Sequence, residues 1–295
     1  SNAAITLTGD NSQFNGTQSI GSSGSLTVNN ASALGSDDAK VSFAGVDSTL
    51  NLLGMTSDIA NNLEGDAGNV NVDQSATINL TGDNSQFAGI YNVDGNSKLT
   101  ASTAANLGQG SVTVNSGSSL LLNGFNGSQT TELANIISGA GNFDLSSSKL
   151  TLAAGNTKLA GLTGQINLTN SSTLTVSDGN QLNSAAGLSI ASATDSLVVD
   201  SNNDFTLSNA LTGAGNIKVD TDNNTFNFGA NVGNAFTGNV DLMNTGFNLS
   251  GANHLEKGTL TLSAGSKTTV TSNESIGNLT LNGGQLAFNN GSVQI

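Results

Sequence analysis

The stretch that decides the fold is ITLTGDNSQFNG at residues 5–16, which returns almost unchanged as INLTGDNSQFAG at residues 78–89. The offset of 73 residues holds without a gap through Leu34-Gly35 in the first copy and Leu107-Gly108 in the second. Repetition at a fixed spacing is typical of proteins in which each repeat packs on the next one.

Two looser copies follow, from Leu152 to Gly161 and from Phe228 to Gly238. We therefore divide residues 4–295 into four repeats of about 73 residues. Their approximate bounds are residues 5–77, 78–150, 151–224 and 225–295. Residues 1–3, Ser-Asn-Ala, are typical of a cloning remnant, and we expect the rest to be a piece of a longer chain.

Short triplets of apolar, polar and apolar residues recur along the chain, as in Ile5-Thr6-Leu7, Val112-Thr113-Val114 and Leu260-Thr261-Leu262. Alternation with a period of two indicates short strands with one buried face. The clusters of Gly, Asn, Ser and Asp between the triplets are typical of turns. The run from Thr131 to Ile137 is the one candidate helix, and it is short.

The spacing of the apolar anchors, often seven to nine residues as from Val72 to Leu80, fits an antiparallel sandwich or the sides of a parallel β-helix. The internal repeat favours the second architecture, because stacked turns need only match their neighbours. We expect an all-β fold, a single parallel β-helix (β-solenoid) with turns of roughly 18 to 24 residues. Each repeat then contains three or four turns, and the chain about 13.

The composition agrees with stacked turns. The chain has 37 glycines, 43 asparagines, no proline and a formal net charge of −14, with charged residues at only 9%. Stacking places like residues above like residues, so charges would repel their copies, whereas asparagines can form hydrogen-bonded ladders. Proline cannot donate a hydrogen bond to a neighbouring strand, which accounts for its exclusion.

The composition also excludes several functions. Without cysteine the chain has no disulfide scaffold and no cysteine zinc site. With no arginine, and seven lysines against 21 acidic residues, it cannot build the basic patch that nucleic acids require. No apolar stretch approaches the length of a membrane-spanning helix, and an anionic bilayer surface would repel the chain.

The repeated stretch at 78–89, followed by Leu99-Thr100 and Asn106-Leu107-Gly108, resembles the passenger-associated repeat of autotransporters, type V secreted proteins of Gram-negative bacteria. That pattern is a strand, Thr-Gly-x-Asn, an aromatic residue, x-Gly, a strand and a Leu-Gly. The resemblance implies a right-handed β-helix passenger domain at the cell surface. It also implies anchoring to the outer membrane through a C-terminal translocator barrel, which this sequence lacks. Such passengers are usually adhesins, self-associating proteins or carriers of an enzyme domain.

The candidate site residues are Asp200, Asp204, Asp220 and Asp222, which form the one acidic group. Asp200 and Asp220 are 20 residues apart, close to one turn, so we expect these side chains to share a face. Three interpretations stay open: solvated turn residues, which we favour, a Ca²⁺ site or a catalytic pair. We assign no catalytic, cofactor-binding or confident metal-binding residue, and Ca²⁺ is the one cofactor considered.

The single histidine, the single tyrosine and the repeated phenylalanines are interpreted as structural or surface residues and not as parts of an active site. His254, the only histidine, stands in a turn-like segment without a nucleophile motif, so we expect a surface or capping residue. Phe14, Phe87 and Phe236 precede glycines at matching repeat positions and predict a repeating core column. Tyr91, the only tyrosine, replaces Gln18 of the first copy, and we expect it to be exposed as a minor candidate for a contact.

The sequence therefore predicts a non-enzymatic extracellular adhesin that mediates cell–cell aggregation and biofilm formation, or attachment to a host surface, through a polar face. Its expected partners are copies of itself on neighbouring cells, or a host matrix protein or glycan, and not nucleic acid. The alternatives are a polysaccharide-cleaving β-helix enzyme and a passive stalk that presents another domain. The acidic group is thin support for the enzyme, since a glycosidase needs two carboxylates placed across the sugar bond.

Overall fold

The computed structural model describes residues 3–126 and 133–295 and is all-β, with about 4% of residues helical. Its parallel sheets are stacked as a β-solenoid, with about 14 turns over the described residues, which confirms the predicted parallel β-helix and its size. The chain forms two compact units, Ser1–Asp144 (unit 1) and Leu145–Ile295 (unit 2). No helix among the described residues is long and apolar enough to cross a membrane.

Unit 1 is built from short strands and two single-turn helical segments. The strands are β1 (Ala4–Leu7), β2 (Thr17–Ile20), β3 (Ser25–Val28), β4 (Lys40–Phe43), β5 (Thr49–Leu53), β6 (Thr56–Ile59), β7 (Asn62–Glu64), β8 (Asn69–Asp73), β9 (Thr77–Leu80), β10 (Ile90–Val93), β11 (Lys98–Ala101), β12 (Ser111–Val114), β13 (Ser119–Asn123) and β14 (Ile137–Gly139). A 3-10 helix covers Ala31–Leu34, and the helix α1 covers Ala104–Leu107. Three parallel sheets follow in the orders β1-β3-β5-β8-β10-β12-β14, β2-β4-β7 and β6-β9-β11-β13.

Unit 2 has the same kind of elements, with a 3-10 helix at Gly179–Gln181. The strands are β15 (Asn142–Ser146), which includes the boundary residues, β16 (Lys149–Thr151), β17 (Gly161–Leu162), β18 (Gln165–Thr169), β19 (Thr173–Val176), β20 (Gly187–Ile190), β21 (Ser196–Asp200), β22 (Phe205–Leu207), β23 (Ala210–Gly213), β24 (Asn216–Asp220), β25 (Thr225–Phe228), β26 (Ala235–Phe236), β27 (Asn239–Met243), β28 (Gly246–Leu249), β29 (Thr259–Ser263), β30 (Lys267–Val270), β31 (Glu274–Ser275), β32 (Asn278–Asn282), β33 (Gln285–Phe288) and β34 (Val293–Gln294). Its parallel sheets run in the orders β18-β20-β23-β26, β16-β19-β21-β24-β27-β29-β32, β22-β25-β28-β30-β33 and β31-β34.

The sequence repeat does not correspond to a whole number of turns. Thr77 lies opposite Lys98 on the next turn, so one turn takes 21 residues there. The first copy of the repeated stretch begins in β1, in the sheet with β3, whereas the second begins in β9, in the sheet with β11. At that turn length a repeat of 73 residues is about three and a half turns. Successive copies within unit 1 therefore lie in different sheets and do not stack on each other.

The inward residues of each triplet form the core, as the alternation predicts. In unit 1, Leu50, Val70, Tyr91 and Val112 occupy matching positions on successive turns, and all are fully buried. Tyr91 was expected to be exposed, and that prediction is wrong. Its ring faces inward because it occupies the first apolar position of a strand triplet, between valines of the turns on either side.

The repeated aromatic-x-Gly motif has a steric cause. The ring of Phe87 lies directly over Gly89, and a Cβ at Gly89 would overlap both that ring and the Gly68 carbonyl. In unit 2 the ring of Phe236 lies over Gly238 in the same way, at 2.6 Å from an ideal Cβ. Because glycine has no side chain, the aromatic ring can pack directly on the backbone of its own turn. The core beside the neighbouring turn is then filled without a gap.

Buried hydroxyl groups accept hydrogen bonds from backbone N–H groups at the corners, where the strands end. The amide N–H of Ala76 donates to Ser97 Oγ at 3.0 Å, and the N–H of Ser97 donates to Ser118 Oγ at 3.2 Å. In unit 2 the N–H of Thr221 donates to Thr245 Oγ1 at 3.1 Å. The N–H groups of Ala76 and Ser97 also donate to the carbonyls of Asp73 and Asp94 in their own corners, so these hydroxyls add a partner from the next turn.

The candidate helix Thr131–Ile137 falls partly outside the described residues, which resume at 133. Between Leu133 and Ile137 the chain contains no helix, and it enters β14 at Ile137. The glycine-rich segment Gly213-Ala214-Gly215 is a tight corner. Gly213 has φ +97°, and a side chain there would meet the carbonyl of Ile190 on the previous turn.

Candidate functional site

A continuous polar strip lies on the outward side of one sheet of unit 1. It consists of Thr27, Asn51, Asn71 and Asn92, which occupy matching positions on β3, β5, β8 and β10. Asn51 Nδ2 donates to Thr27 Oγ1 at 3.1 Å, Asn71 Nδ2 to Asn51 Oδ1 at 2.9 Å, and Asn92 Nδ2 to Asn71 Oδ1 at 3.0 Å. The predicted asparagine ladder is therefore confirmed, and we call this set the polar strip.

The polar strip presents a regular array of hydrogen-bonding groups to solvent. Each amide nitrogen carries two hydrogens and gives one of them to its neighbour, so a second hydrogen is left to point outward. The four side chains are half-buried and fixed by one another, and none of them is charged. Neighbouring strands lie about 4.8 Å apart, so the array repeats at that interval over four turns.

Side-chain ladders also occur on other sheets. Asn79 Nδ2 donates to Asp58 Oδ1 at 3.1 Å in unit 1. In unit 2, Thr261 Oγ1 donates to Asn239 Oδ1 at 2.8 Å, and Ser263 Oγ donates to Asp241 Oδ1 at 2.6 Å. Each of these pairs joins only two turns, and two of the three include a carboxylate. The polar strip extends over four turns and is uncharged. For this reason the polar strip is the better candidate for a contact surface.

The four candidate aspartates occupy turns and strand ends. Asp200 lies directly opposite Asp220 on the next turn, as their spacing predicted. Asp220 accepts hydrogen bonds from the N–H of Asp222 at 3.1 Å and from Asn244 Nδ2 at 3.2 Å, and Asp204 accepts one from the N–H of Thr225 at 2.8 Å. These contacts support the turn interpretation. Among the described residues, no group of three or more His, Asp or Glu side chains is placed to hold a metal ion.

The other singular residues divide between surface and core. His254 is half-buried, with Nδ1 2.8 Å from the Gly233 carbonyl and its ring 5.5 Å from that of Phe228, in keeping with a capping residue. Phe87 and Phe236 are buried, but Phe14 is 42% exposed. The prediction of one repeating phenylalanine column is therefore wrong, because the copies of the repeat lie in different sheets.

Tyr91 belongs to an aromatic cluster in the core of unit 1. The ring of Phe87 lies 5.0 Å from that of Phe43 and 5.1 Å from that of Tyr91, with the second pair edge-on. The hydroxyl of Tyr91 is buried without a hydrogen-bond partner among the described residues. Burial raises the pKa of Tyr91 far above its ordinary value, because the ionised phenolate would lose its hydration.

Asp10 and Asp83 occupy the same position in the two strongest copies of the repeat. The carboxylate of Asp10 accepts the N–H of Ser12 at 2.9 Å, and that of Asp83 accepts the N–H of Ser85 at 3.0 Å. These backbone hydrogen bonds stabilise the ionised form and hold the pKa of both carboxyls below the ordinary value. Both residues act as turn formers.

In comparison with known proteins, no protein family, no curated protein and no solved structure matches this chain.

Sequence reasoning did not single out the polar strip residues individually, although a signal is present. Each asparagine is the central residue of an apolar-Asn-apolar triplet, in Leu50-Asn51-Leu52, Val70-Asn71-Val72 and Tyr91-Asn92-Val93. The triplets are 20 and 21 residues apart, which is one turn. Asparagine at the centre of successive triplets is the sequence pattern of an outward amide ladder.

Proposed function

We propose that the chain is the passenger part of an autotransporter-type adhesin, displayed outside a Gram-negative cell, which joins cells through the polar strip. The observation that carries the proposal is the ordered ladder of Thr27, Asn51, Asn71 and Asn92. A second copy of the chain is the partner that we favour. A translocator in the outer membrane would hold the protein at the surface.

Two copies can meet face to face about a two-fold axis, each using the same surface. The outward amide hydrogens of one polar strip then donate to the carbonyl oxygens of the other. Because the polar strip is uncharged, this contact avoids placing carboxylates against each other, although the net charge of −14 still opposes approach. Added salt screens that repulsion and should strengthen the association.

The magnitude of such a contact suits adhesion between cells. A net contribution of about 0.5–1.5 kcal/mol for each hydrogen bond gives a few kcal/mol for the whole polar strip. That corresponds to a dissociation constant of about 1 mM for one pair of molecules. Many copies on two facing cells act together, so weak single contacts sum to firm attachment.

The test is aggregation of cells that display the chain. The variant Asn51→Thr/Asn71→Thr/Asn92→Thr removes the amides but keeps residues that this sheet already accepts at the same position, as Thr27 shows. We expect it to be displayed normally and to reduce aggregation at least tenfold. The matched control is Asn227→Thr/Asn248→Thr, which changes two outward asparagines of another sheet, and it should aggregate like the unmodified protein.

Full aggregation by the triple variant, or an equal loss in the control, would contradict the proposal. Absence of aggregation by every form, together with binding to matrix proteins or glycans, would favour host attachment. Absence of both would favour the passive stalk. Cleavage of a polysaccharide by the purified protein would favour the enzyme alternative.

A further inference from the structure

Unit 2 contains an open groove between the 3-10 helix Gly179–Gln181 and the strand β22. Its volume is about 470 Å³, within the range of about 300–1,000 Å³ that is common for small-molecule sites. Its polar lining includes the side chains of Asp178, Asn180, Ser184, Asp204, Thr206 and Asn209. They come from two segments of unit 2, residues 178–184 and 204–209, and lie outside the polar strip.

One wall of the groove is rigid. Asp178 caps the 3-10 helix by accepting the N–H of Asn180 at 2.8 Å, and the side chain of Gln181 returns to the N–H of Asp178 at 3.0 Å. Gln181 is buried, and its Nε2 donates to the carbonyls of Leu152 and Ala153 on the previous turn. A ligand therefore meets a preorganised wall and does not have to order it.

The innermost polar group of the groove is Asn209, of which only 3% is exposed. Its Nδ2 donates to the carbonyls of Asn183 at 2.8 Å and Ala186 at 2.9 Å, which fixes the orientation of the amide. Its Oδ1 accepts no hydrogen bond from any described residue. This oxygen is within reach of solvent and is not a buried unpaired atom. A fixed acceptor at the lining of a groove favours a ligand that donates hydrogen bonds.

The rim of the groove also offers unpaired groups. The hydroxyls of Ser184 and Thr206 have no hydrogen-bond partner among residues 3–126 and 133–295, and neither does the side-chain amide of Asn180. Asp204 uses one carboxylate oxygen for the N–H of Thr225 and keeps the other available, whereas the Asp178 carboxylate accepts the N–H groups of both Asn180 and Gln181. No lysine lines the groove, so an anionic ligand would be repelled.

We propose that this groove binds a neutral saccharide. Sugar hydroxyls donate to the carboxylates and to Asn209 Oδ1, and they accept from Asn180, Ser184 and Thr206, which matches the mixture of groups present. No aromatic residue lines the groove to stack on a sugar ring, so a single site binds weakly, with a dissociation constant of about 1 mM. The groove is independent of the polar strip and of the proposed self-association.

The test is titration of the full chain, followed by amide NMR, with a panel of neutral hexose oligosaccharides, with oligogalacturonate and with Ca²⁺ alone. We expect at least one neutral oligosaccharide to shift the amide signals of residues 178–184 and 204–209, while oligogalacturonate leaves them unchanged. Thr206→Val and Ser184→Ala, which remove one hydroxyl each, should weaken that binding at least fivefold. Thr175→Val, at an outward position of β19 away from the groove, is the matched control and should bind normally.

Several results would overturn the proposal. These are no shift with any neutral oligosaccharide, shifts outside the two segments, or binding unchanged in both groove variants. Selective binding of Ca²⁺ in place of sugar would likewise assign the groove to a cation. The Asn51→Thr/Asn71→Thr/Asn92→Thr variant should bind sugar normally, so failure of the groove and failure of the polar strip are distinguishable.

Discussion

The two strongest copies of the repeat have nearly the same sequence but very different burial. Residues 5–16 and 78–89 differ at only two of twelve positions, Thr6 against Asn79 and Asn15 against Ala88. Phe14 is nevertheless 42% exposed, whereas Phe87 is fully buried. Ile5 is 54% exposed and Ile78 is fully buried.

The local turn is the same in both copies. The N–H of Phe14 donates to the Asn11 carbonyl at 2.7 Å, and the N–H of Phe87 donates to the Asn84 carbonyl at 2.8 Å. The neighbours are different, because β9 pairs with β6 and β11, whereas β1 pairs with β3 alone among the described strands. The repeated sequence therefore fixes the turn, and the adjacent turns supply the burial and most of the stability.

The largest expected difference in unfolding free energy is between Phe87→Ala and Phe14→Ala. Phe87 packs against Phe43 and Tyr91 in the closed core, so its truncation leaves a cavity and should cost about 3–5 kcal/mol of unfolding free energy. Phe14→Ala should cost less than about 1 kcal/mol, since that ring already contacts water. Denaturant unfolding measures both values. Equal losses would show that burial in the second copy does not come from its neighbouring turns.

Asn84→Ala and Asn11→Ala form a second pair. Asn84 is fully buried; its Oδ1 accepts the N–H of Leu63 at 2.7 Å, and its Nδ2 donates to the Asn106 carbonyl at 2.6 Å. Its removal leaves two buried groups unpaired and should cost about 2–4 kcal/mol. Asn11 makes one such bond, to the Ala33 carbonyl, and should cost about 1 kcal/mol or less. The same unfolding experiment decides, with Asn11→Ala as the control.

Tyr91→Phe should stabilise the protein by about 1 kcal/mol, because it removes a buried hydroxyl that has no partner among the described residues. The matching residue in the first copy is Gln18, whose Oε1 is also buried and unpaired within that part of the chain. A loss of stability in Tyr91→Phe would show that the hydroxyl makes a favourable contact in solution.

The same residue predicts a pH dependence. Burial raises the pKa of Tyr91 in the folded chain, while in the unfolded chain it ionises at about pH 10. The unfolded state therefore binds fewer protons above that pH, and stability should fall as the pH rises further. Since Tyr91 is the only tyrosine, the phenolate absorbance should appear only on unfolding, and Tyr91→Phe should lack this part of the pH dependence.

The smallest difference between the two copies is expected in the pKa values of Asp10 and Asp83. In both copies a serine N–H two residues on lowers the pKa of the carboxyl, and both side chains are exposed. NMR titration should give pKa values for both residues that lie below the ordinary value and close to each other. Stabilisation by these bonds is present above the ordinary pKa and lost as the pH falls through the lowered one. A normal pKa at Asp10 alone would show that even the turn needs neighbouring turns.

Much of the fold could be predicted from short-range patterns. The triplets gave the strands and their inward residues, such as Val70 and Val112, because alternation is a local property. The 73-residue repeat indicated stacked turns, although its copies in unit 1 lie in different sheets and do not stack on each other. The exposed placement predicted for Tyr91 failed because its comparison with Gln18 ignored that Tyr91 opens a triplet, Tyr91-Asn92-Val93, and so faces inward.

The residues of the polar strip and of the groove could be predicted less well from the sequence. The polar strip requires the turn length to within one residue, since a slip of one places Asn71 inside and Val72 outside. Asp204 was grouped with Asp200 and Asp220 by proximity in sequence, but it lines the groove with Asp178, which is 26 residues earlier. Which residues lie close together on neighbouring turns depends on the lengths of the corners between the strands. No local sequence pattern determines these contacts.

The most direct test of self-association is sedimentation velocity of the purified protein from about 10 µM to about 1 mM, at low and high salt. We predict that the average sedimentation coefficient rises with concentration, rises further with salt, and stays lower in the Asn51→Thr/Asn71→Thr/Asn92→Thr variant. A monomer value at every concentration and salt, or an identical curve for that variant, would contradict self-association through the polar strip.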